Sequence, residues 1–127
     1  MILLNSTERF EFIDITSKVQ VELSKSKIKN GLCHVYCPHT TAGLTINEGA
    51  DPFVKADILK KLREIVPEND GYEHIEGNSD SHIMSSLVGA EKTIPIKNGK
   101  LQLGTWQSLF FTEFDGPRNR KVIITVQ

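Results

Sequence analysis

Sulfur is scarce in this chain of 127 residues. There are two cysteines, Cys33 and Cys37. On a strand they would share a face but stand ~13 Å apart along it, too far for a disulfide without rearrangement. A disulfide framework is therefore excluded, and reduced thiols point to the cytoplasm. Charge of one sign is also missing, since 15 Lys+Arg against 16 Asp+Glu leave −1. That balance argues against a broad basic surface for nucleic acid. No apolar run approaches the ~18 residues of a membrane helix, so no membrane partner is expected. Ile2-Leu3-Leu4 is ended by Asn5-Ser6-Thr7-Glu8 and has no basic flank before it, so no signal peptide is read there. Internal repeats, low-complexity tracts and linkers are absent. What is present is an ordinary globular balance, 39% hydrophobic and 24% charged. It fits one domain over residues 1–127 that can bury a core unaided.

The periodicities describe an α+β chain. Arg9 to Ile15 alternates as a strand, and Thr16 looks like a helix N-cap. Val19 and Leu23 share a helical face, and Gly31 sits where that helix would stop. Leu32 to Cys37 and Ala42 to Ile46 read as strands. Asp51-Pro52 is a strong helix start. Val54, Ile58, Leu62 and Ile65 follow at helical spacing, and Pro67 stops them. Asn69-Asp70-Gly71 is a turn. Asn78-Ser79-Asp80 caps a helix through Leu87, closed by Gly89. Thr93 to Ile96, the Asn98-Gly99 turn and the alternation of Leu101 and Leu103 form a hairpin signal. Trp106 to Phe114 is a long aromatic-rich strand. Asp115-Gly116-Pro117-Arg118-Asn119 turns the chain into Lys121 to Val126. The expected architecture is mainly antiparallel or mixed β-sheets, sandwich-like, with two or three packed helices.

Polar residues gather in three stretches at element ends, where ligands are usually met. His39-Thr40-Thr41-Ala42-Gly43 leads to Asn47-Glu48. Tyr72-Glu73-His74 leads to Gly77-Asn78-Ser79-Asp80-Ser81-His82. Gly104-Thr105-Trp106-Gln107 leads to Glu113-Phe114-Asp115-Gly116-Pro117-Arg118. His39, His74 and His82 each sit beside small polar residues, and three neutral imidazoles plus water make an open zinc site. The bland alternative is three separate hydrogen-bonding histidines. His34, inside an apolar strand, reads as structural. Glu48 has no evident structural task and suits metal binding or general-base work. Asp51 reads as a cap, and Asp57 cannot share its face neatly. Asp80-Ser81-His82 are adjacent, but a triad is defined by geometry rather than adjacency. Thr40, Thr41 and the amides before the helix at Asn78 could line an anion. Arg118 offers a two-pronged donor for phosphate, or else a turn salt bridge with Glu113 or Asp115. Trp106 reads as core more readily than as a stacking platform.

Taken in order, His39-Thr40-Thr41-Ala42 with Asn47-Glu48, Gly77-Asn78 with His82, Gly104-Thr105-Trp106-Gln107 and Asp115-Gly116-Pro117-Arg118 resemble the YjbQ family over nearly the whole chain. The resemblance implies a compact α+β fold, a cytoplasmic homotrimer and a weak thiamine-phosphate synthase activity. That reaction joins a pyrimidine-methyl pyrophosphate to a thiazole phosphate and releases pyrophosphate. Glu48, His82 and Arg118 are the expected catalytic residues, and Thr40, Thr41, Asn47, Asn78, Trp106 and Arg118 the expected substrate contacts. For the implied reaction Arg118, Thr40, Thr41 and a bound cation would stabilise pyrophosphate, and Tyr72 or Trp106 would form a wall for the rings. His39, His74 and His82 would hold a divalent metal ion, zinc or magnesium. Rival expectations are a metal-dependent hydrolase of a phosphorylated metabolite, and a protein that binds an anionic metabolite without catalysis.

Overall fold

A computed structural model describes residues 1–127. Strands β1 (Ile2–Asn5) and β2 (Glu11–Asp14) precede helix α1 (Thr16–Ser26). Strands β3 (Gly31–Tyr36) and β4 (Ala42–Glu48) lead to helices α2 (Pro52–Ile65) and α3 (Ser79–Val88). Strands β5 (Glu91–Lys97), β6 (Lys100–Leu101), β7 (Gln107–Glu113) and β8 (Asn119–Val126) complete the chain. The fold is α+β, as expected from the periodicities. One sheet has the order β1-β8-β3-β5-β6 and the other β2-β7-β4. Every pairing is antiparallel.

The three-stranded sheet is the middle layer. Leu109 and Phe111 of β7 face the five-stranded sheet, where they join Leu44, Val35, Ile94 and Val122 beneath Val19 and Leu23 of α1. Phe110 and Phe114 face the other way and meet Phe12, Met84 and Val66 under α2 and α3. A strand covered on both faces needs an unbroken apolar run, which Leu109-Phe110-Phe111 supplies.

Local chemistry explains the boundaries. Asp51 accepts the Phe53 N–H at 2.9 Å and Pro52 opens α2, as expected. Asn98 and Gly99 take positive φ, 53° and 74°, in the tight turn joining β5 to β6. Such a turn suits the right-handed strand twist and favours Asn-Gly. Other expectations are corrected. Thr16 is the first residue of α1 rather than its cap, because Asp14 accepts both its N–H and its hydroxyl. The helix stops at Ser26 with Lys27 left-handed, and Gly31 already belongs to β3. No residue of α2 is fully buried, and Ile65 lies largely in solvent. Trp106 stands outside β7 and is 64% exposed, so it is not core. The exposed ring follows from its place in the loop between Gly104 and Gln107, beyond the last covered position of β7.

Gly43 packs closely against the chain leaving α3. A Cβ there would lie 2.7 Å from the Gly89 carbonyl oxygen, which accepts the Leu44 N–H. Gly43→Ala should therefore lower unfolding stability by about 1–3 kcal/mol through overpacking. Urea unfolding of the two chains checks this.

Candidate functional site

Glu113 and Arg120 are buried charges on facing sheets. Glu113 shares its face of β7 with Phe111, and Arg120 shares its face of β8 with Val122. They form an ion pair that ties the two sheets together at one end. Glu113 Oε1 accepts from Arg120 Nε at 2.9 Å and from the Ser6 hydroxyl at 2.6 Å. Its Oε2 accepts from Arg120 Nη2 and from the Asp115 N–H. Arg120 Nη2 also donates to Thr41 Oγ1 at 2.8 Å. Burial alone would raise the Glu113 carboxyl, but these donors outweigh it and hold the pKa below the ordinary carboxylate value.

The network positions the polar residues around it. Ser6 Oγ accepts the Arg118 N–H at 2.9 Å. Arg118 donates through Nε to the Asp115 carbonyl and through Nη2 to the Asp115 carboxylate. Of its two expected turn partners, Asp115 is the one it takes. Asn78 donates to the same carboxylate at 2.9 Å instead of capping α3. The Arg118 guanidinium is thus oriented yet about half exposed. His39 follows the buried Cys37, and its Nε2 sits 3.0 Å from the Lys121 backbone nitrogen. Burial, then the Arg120 charge, lowers the His39 pKa, so the ring is neutral at pH 7. Cys37 is no nucleophile, since burial pushes its thiol up to about 11. Both cysteines are free. Thr40 is exposed, whereas Thr41 is buried and its hydroxyl serves Arg120.

His74 and His82 do meet, with ring centroids 5.5 Å apart. They line a cavity of about 360 Å³ with Tyr72, Glu73, Ser79 and Ile83. No group of three His, Cys, Asp or Glu side chains within the chain gathers closely enough to hold a metal ion. The convergence of His39, His74 and His82 into one ligand set is therefore not found in a single chain. His39 is held instead by the β8 backbone and packs edge-on against Phe111. Asp80 is not part of a triad either. It is buried and takes both oxygens' worth of hydrogen bonds from Arg9, while Ser81 donates to the Phe114 carbonyl. A larger cavity of about 480 Å³, between α2 and α3, has Asp80 in its wall. It contains none of the expected site residues.

Glu48, Asn47 and Trp106 lie elsewhere. In the β4–β7 ladder Ala42 pairs with Glu113 and Glu48 with Gln107. Six residues of strand put the two ends roughly 20 Å apart. Asn47 Oδ1 accepts the Glu48 N–H, and the Trp106 carbonyl accepts the Gly49 N–H. The Glu48 carboxylate itself has no ion-pair partner. The expected site residues thus fall into two groups at opposite ends of one sheet.

Ser6 and Arg120 were missed from the sequence, and Glu113 was read only as a turn partner for Arg118. The available signal was parity: Glu113 shares the face of Leu109 and Phe111, and Arg120 that of Val122 and Ile124. A charge of each sign on two inward faces predicts a buried pair.

This layered α+β fold, with its polar residues clustered at the strand ends, is the architecture of one protein family. The family model for YjbQ, described as UPF0047 protein YjbQ-like, matches residues 1–127, and the chain belongs to that family. It is 52% identical to the UPF0047 protein MJ1081 of Methanocaldococcus jannaschii, over 97% of this chain and 89% of that protein. It is 49% identical to the UPF0047 protein YugU of Bacillus subtilis, over 95% of this chain and 92% of that protein. A crystal structure of a YjbQ/UPF0047 protein from Clostridium acetobutylicum superposes with a TM-score of 0.97 at 50% identity, covering 99% of this chain and 98% of that one. A protein of unknown function from Sulfolobus solfataricus gives 0.94 at 36% identity, covering 98% of this chain and 92% of that one. No helix here is long and apolar enough to cross a membrane.

The buried pair sets the acid response. Arg120→Met strands the Glu113 carboxylate and should cost about 3–5 kcal/mol, while adding Glu113→Leu should recover most of it. A depressed carboxyl pKa contributes stability that is complete above the unfolded value of 4.5 and lost as pH falls through the folded one. The double variant should lose less stability on acidification below 4.5 than the parent. Urea unfolding across that range measures both effects.

Proposed function

We propose that this chain is an enzyme acting on a small phosphorylated metabolite, with thiamine-phosphate synthesis as its reaction. The observation that carries the proposal is the Arg118 guanidinium, fixed by Asp115 and partly open to solvent, beside the first turn of α3. An oriented fork of this kind suits a phosphate or pyrophosphate group. In the reaction, the thiazole nitrogen bonds to the pyrimidine methylene carbon. The bond from that carbon to pyrophosphate oxygen breaks, and pyrophosphate leaves with the electron pair. Arg118 would neutralise the departing charge, helped by Thr40 and the free amides at Asn78 and Ser79. Thr41 contributes indirectly, since its hydroxyl is engaged with Arg120. Glu48 would act as the base or orient a group, with Asn47 and Trp106 forming the substrate wall beside it. The protein is proposed to work as a cytoplasmic homotrimer.

The donor set narrows the metal reading. His74 and His82 would hold a divalent ion, zinc or magnesium, with water and the substrate phosphate filling the remaining positions. Such an ion would add positive charge for pyrophosphate. His39 lies outside that pair, its Nε2 held by the Lys121 backbone. Water activated by the same ion would serve the second reading, hydrolysis of a phosphorylated metabolite.

Incubation of the purified protein with both thiamine precursors should release pyrophosphate and thiamine phosphate in equal amounts. Phosphate release from simple esters would instead support the hydrolase. Binding of the precursors without turnover would leave a non-catalytic binder. Arg118→Lys should raise KM about tenfold, ~1.4 kcal/mol of lost substrate binding, and leave the melting temperature unchanged because the side chain is exposed. Glu48→Gln should abolish turnover while stability stays within about 0.5 kcal/mol. Titration with zinc followed by calorimetry should show one weak site per chain that His82→Asn removes.

A further inference from the structure

The cavity between α2 and α3 has no part in the site described above. Ala56, Leu59, Lys60 and Arg63 recur at spacings of three and four, so they share one face of α2, and all four line the cavity. Asp80 and Met84, one turn apart on α3, line it too. Phe10 and Val66 complete an apolar lining with Leu59 and Met84. The volume of about 480 Å³ falls within the range of small-molecule sites, roughly 300–1,000 Å³.

The charges around this cavity are satisfied unequally. Asp80 is 1% exposed, and Arg9 Nη2 donates to both its oxygens, at 3.0 and 3.1 Å. Arg9 Nη1 also pairs with Glu68, and Lys61 pairs with Glu64. Every carboxylate of the lining is thus engaged by a cation. Lys60 and Arg63 have no carboxylate partner. The Arg63 guanidinium lies over the Phe10 ring instead, 4.6 Å from its centroid, with the Arg9 guanidinium 4.7 Å from the same centroid. Stacking orients the Arg63 fork while leaving its N–H groups free to donate. An apolar chamber whose unpaired charges are both positive selects an anion with an apolar body.

The geometry points to a binding site for a small apolar monocarboxylic acid, its carboxylate taken by Arg63 and Lys60 and its tail laid along Phe10, Leu59 and Met84. The single charge follows from the helix. Arg63 stands in the last turn of α2, where unpaired carbonyls carry partial negative charge. That field opposes a doubly charged phosphate more than a carboxylate. The inference does not rest on the functional reading above, because neither Arg118 nor Glu48 lines this cavity.

Met84 reports on the cavity from within. The chain has two methionines, Met84 in the cavity wall and the exposed Met1. Isotope labelling of the methionine methyls gives two NMR signals, which Met84→Leu assigns. Octanoate at millimolar concentration should shift the Met84 signal to saturation and leave Met1 unmoved. Octylamine, with the same tail and the opposite charge, should move neither. Lys60→Gln combined with Arg63→Gln should weaken octanoate roughly tenfold or more, the worth of a charge-assisted contact. The melting temperature should hold, since neither side chain forms an ion pair. Ala56→Trp fills the cavity from an exposed helix position and should abolish the shift. Arg118→Lys should bind octanoate as the parent does. A Met84 signal that octanoate leaves unmoved, or that octylamine moves equally, would overturn the proposal. So would unchanged affinity in the cavity variants, or octyl phosphate binding more tightly than octanoate. Loss of binding in Arg118→Lys would place the acid at the other site and overturn it as well.

Discussion

The ion pair between Glu113 and Arg120 is the constraint on which the polar end of the molecule depends. Each charge comes from a different sheet, and both are removed from water. Removing a carboxylate and a guanidinium from water is tolerable only if their hydrogen-bonding capacity is filled. Here the fillers are Ser6 after β1, Thr41 before β4 and the Asp115 amide after β7. Three loops are thereby tied to one point. Net stabilisation from such a pair is small, because attraction and desolvation nearly cancel. Its larger effect is geometric, since Arg118 and His39 sit on backbone that these bonds fix.

That arrangement also explains why some of the fold was legible in the sequence and some was not. The Asp51-Pro52 start of α2 and the Asn98-Gly99 turn are local devices, fixed by capping and by positive φ, so a few residues suffice to read them. The apolar run Leu109-Phe110-Phe111 of β7 is equally readable, because that stretch is covered on both faces. Thr16 misled because Asp14, two residues earlier, accepts its N–H, and because its own hydroxyl serves the Leu109 amide of a distant strand. Trp106 misled because composition places a lone tryptophan inside, whereas nothing in this chain covers it. Glu113 and Arg120 are seven positions apart on different sheets, and only their parity on buried strands betrays the pair; Ser6 reaches it from 107 residues away with no such signal.

The candidate site was legible as a set of residues and illegible as an arrangement, and antiparallel pairing is the reason. His39 to Ala42 enters β4, and Asn47-Glu48 leaves it. Gly104 to Gln107 enters β7, and Asp115 to Arg118 leaves it. Because β4 and β7 run in opposite directions, the entrance of one lies beside the exit of the other. His39 and Glu48 are nine positions apart in sequence yet belong to different ends of the sheet. Arg118 and Thr41, far apart in sequence, share an end through Ser6, Glu113 and Arg120.

The two ends differ in how completely they are satisfied within one chain. At the Arg118 end nearly every charged group has a partner, and the geometry is fixed before any ligand arrives. At the Glu48 end a carboxylate, an indole and a phenyl ring face water with little to hold them. Exposed large aromatics carry a hydration cost, roughly 25 cal/mol for each Å² of apolar surface that burial would remove. A chain that folds well elsewhere keeps such surface when something else covers it. The preorganised end therefore supplies orientation. The other end leaves its indole and phenyl surface to water within one chain, and its carboxylate has no ion-pair partner there to fix it.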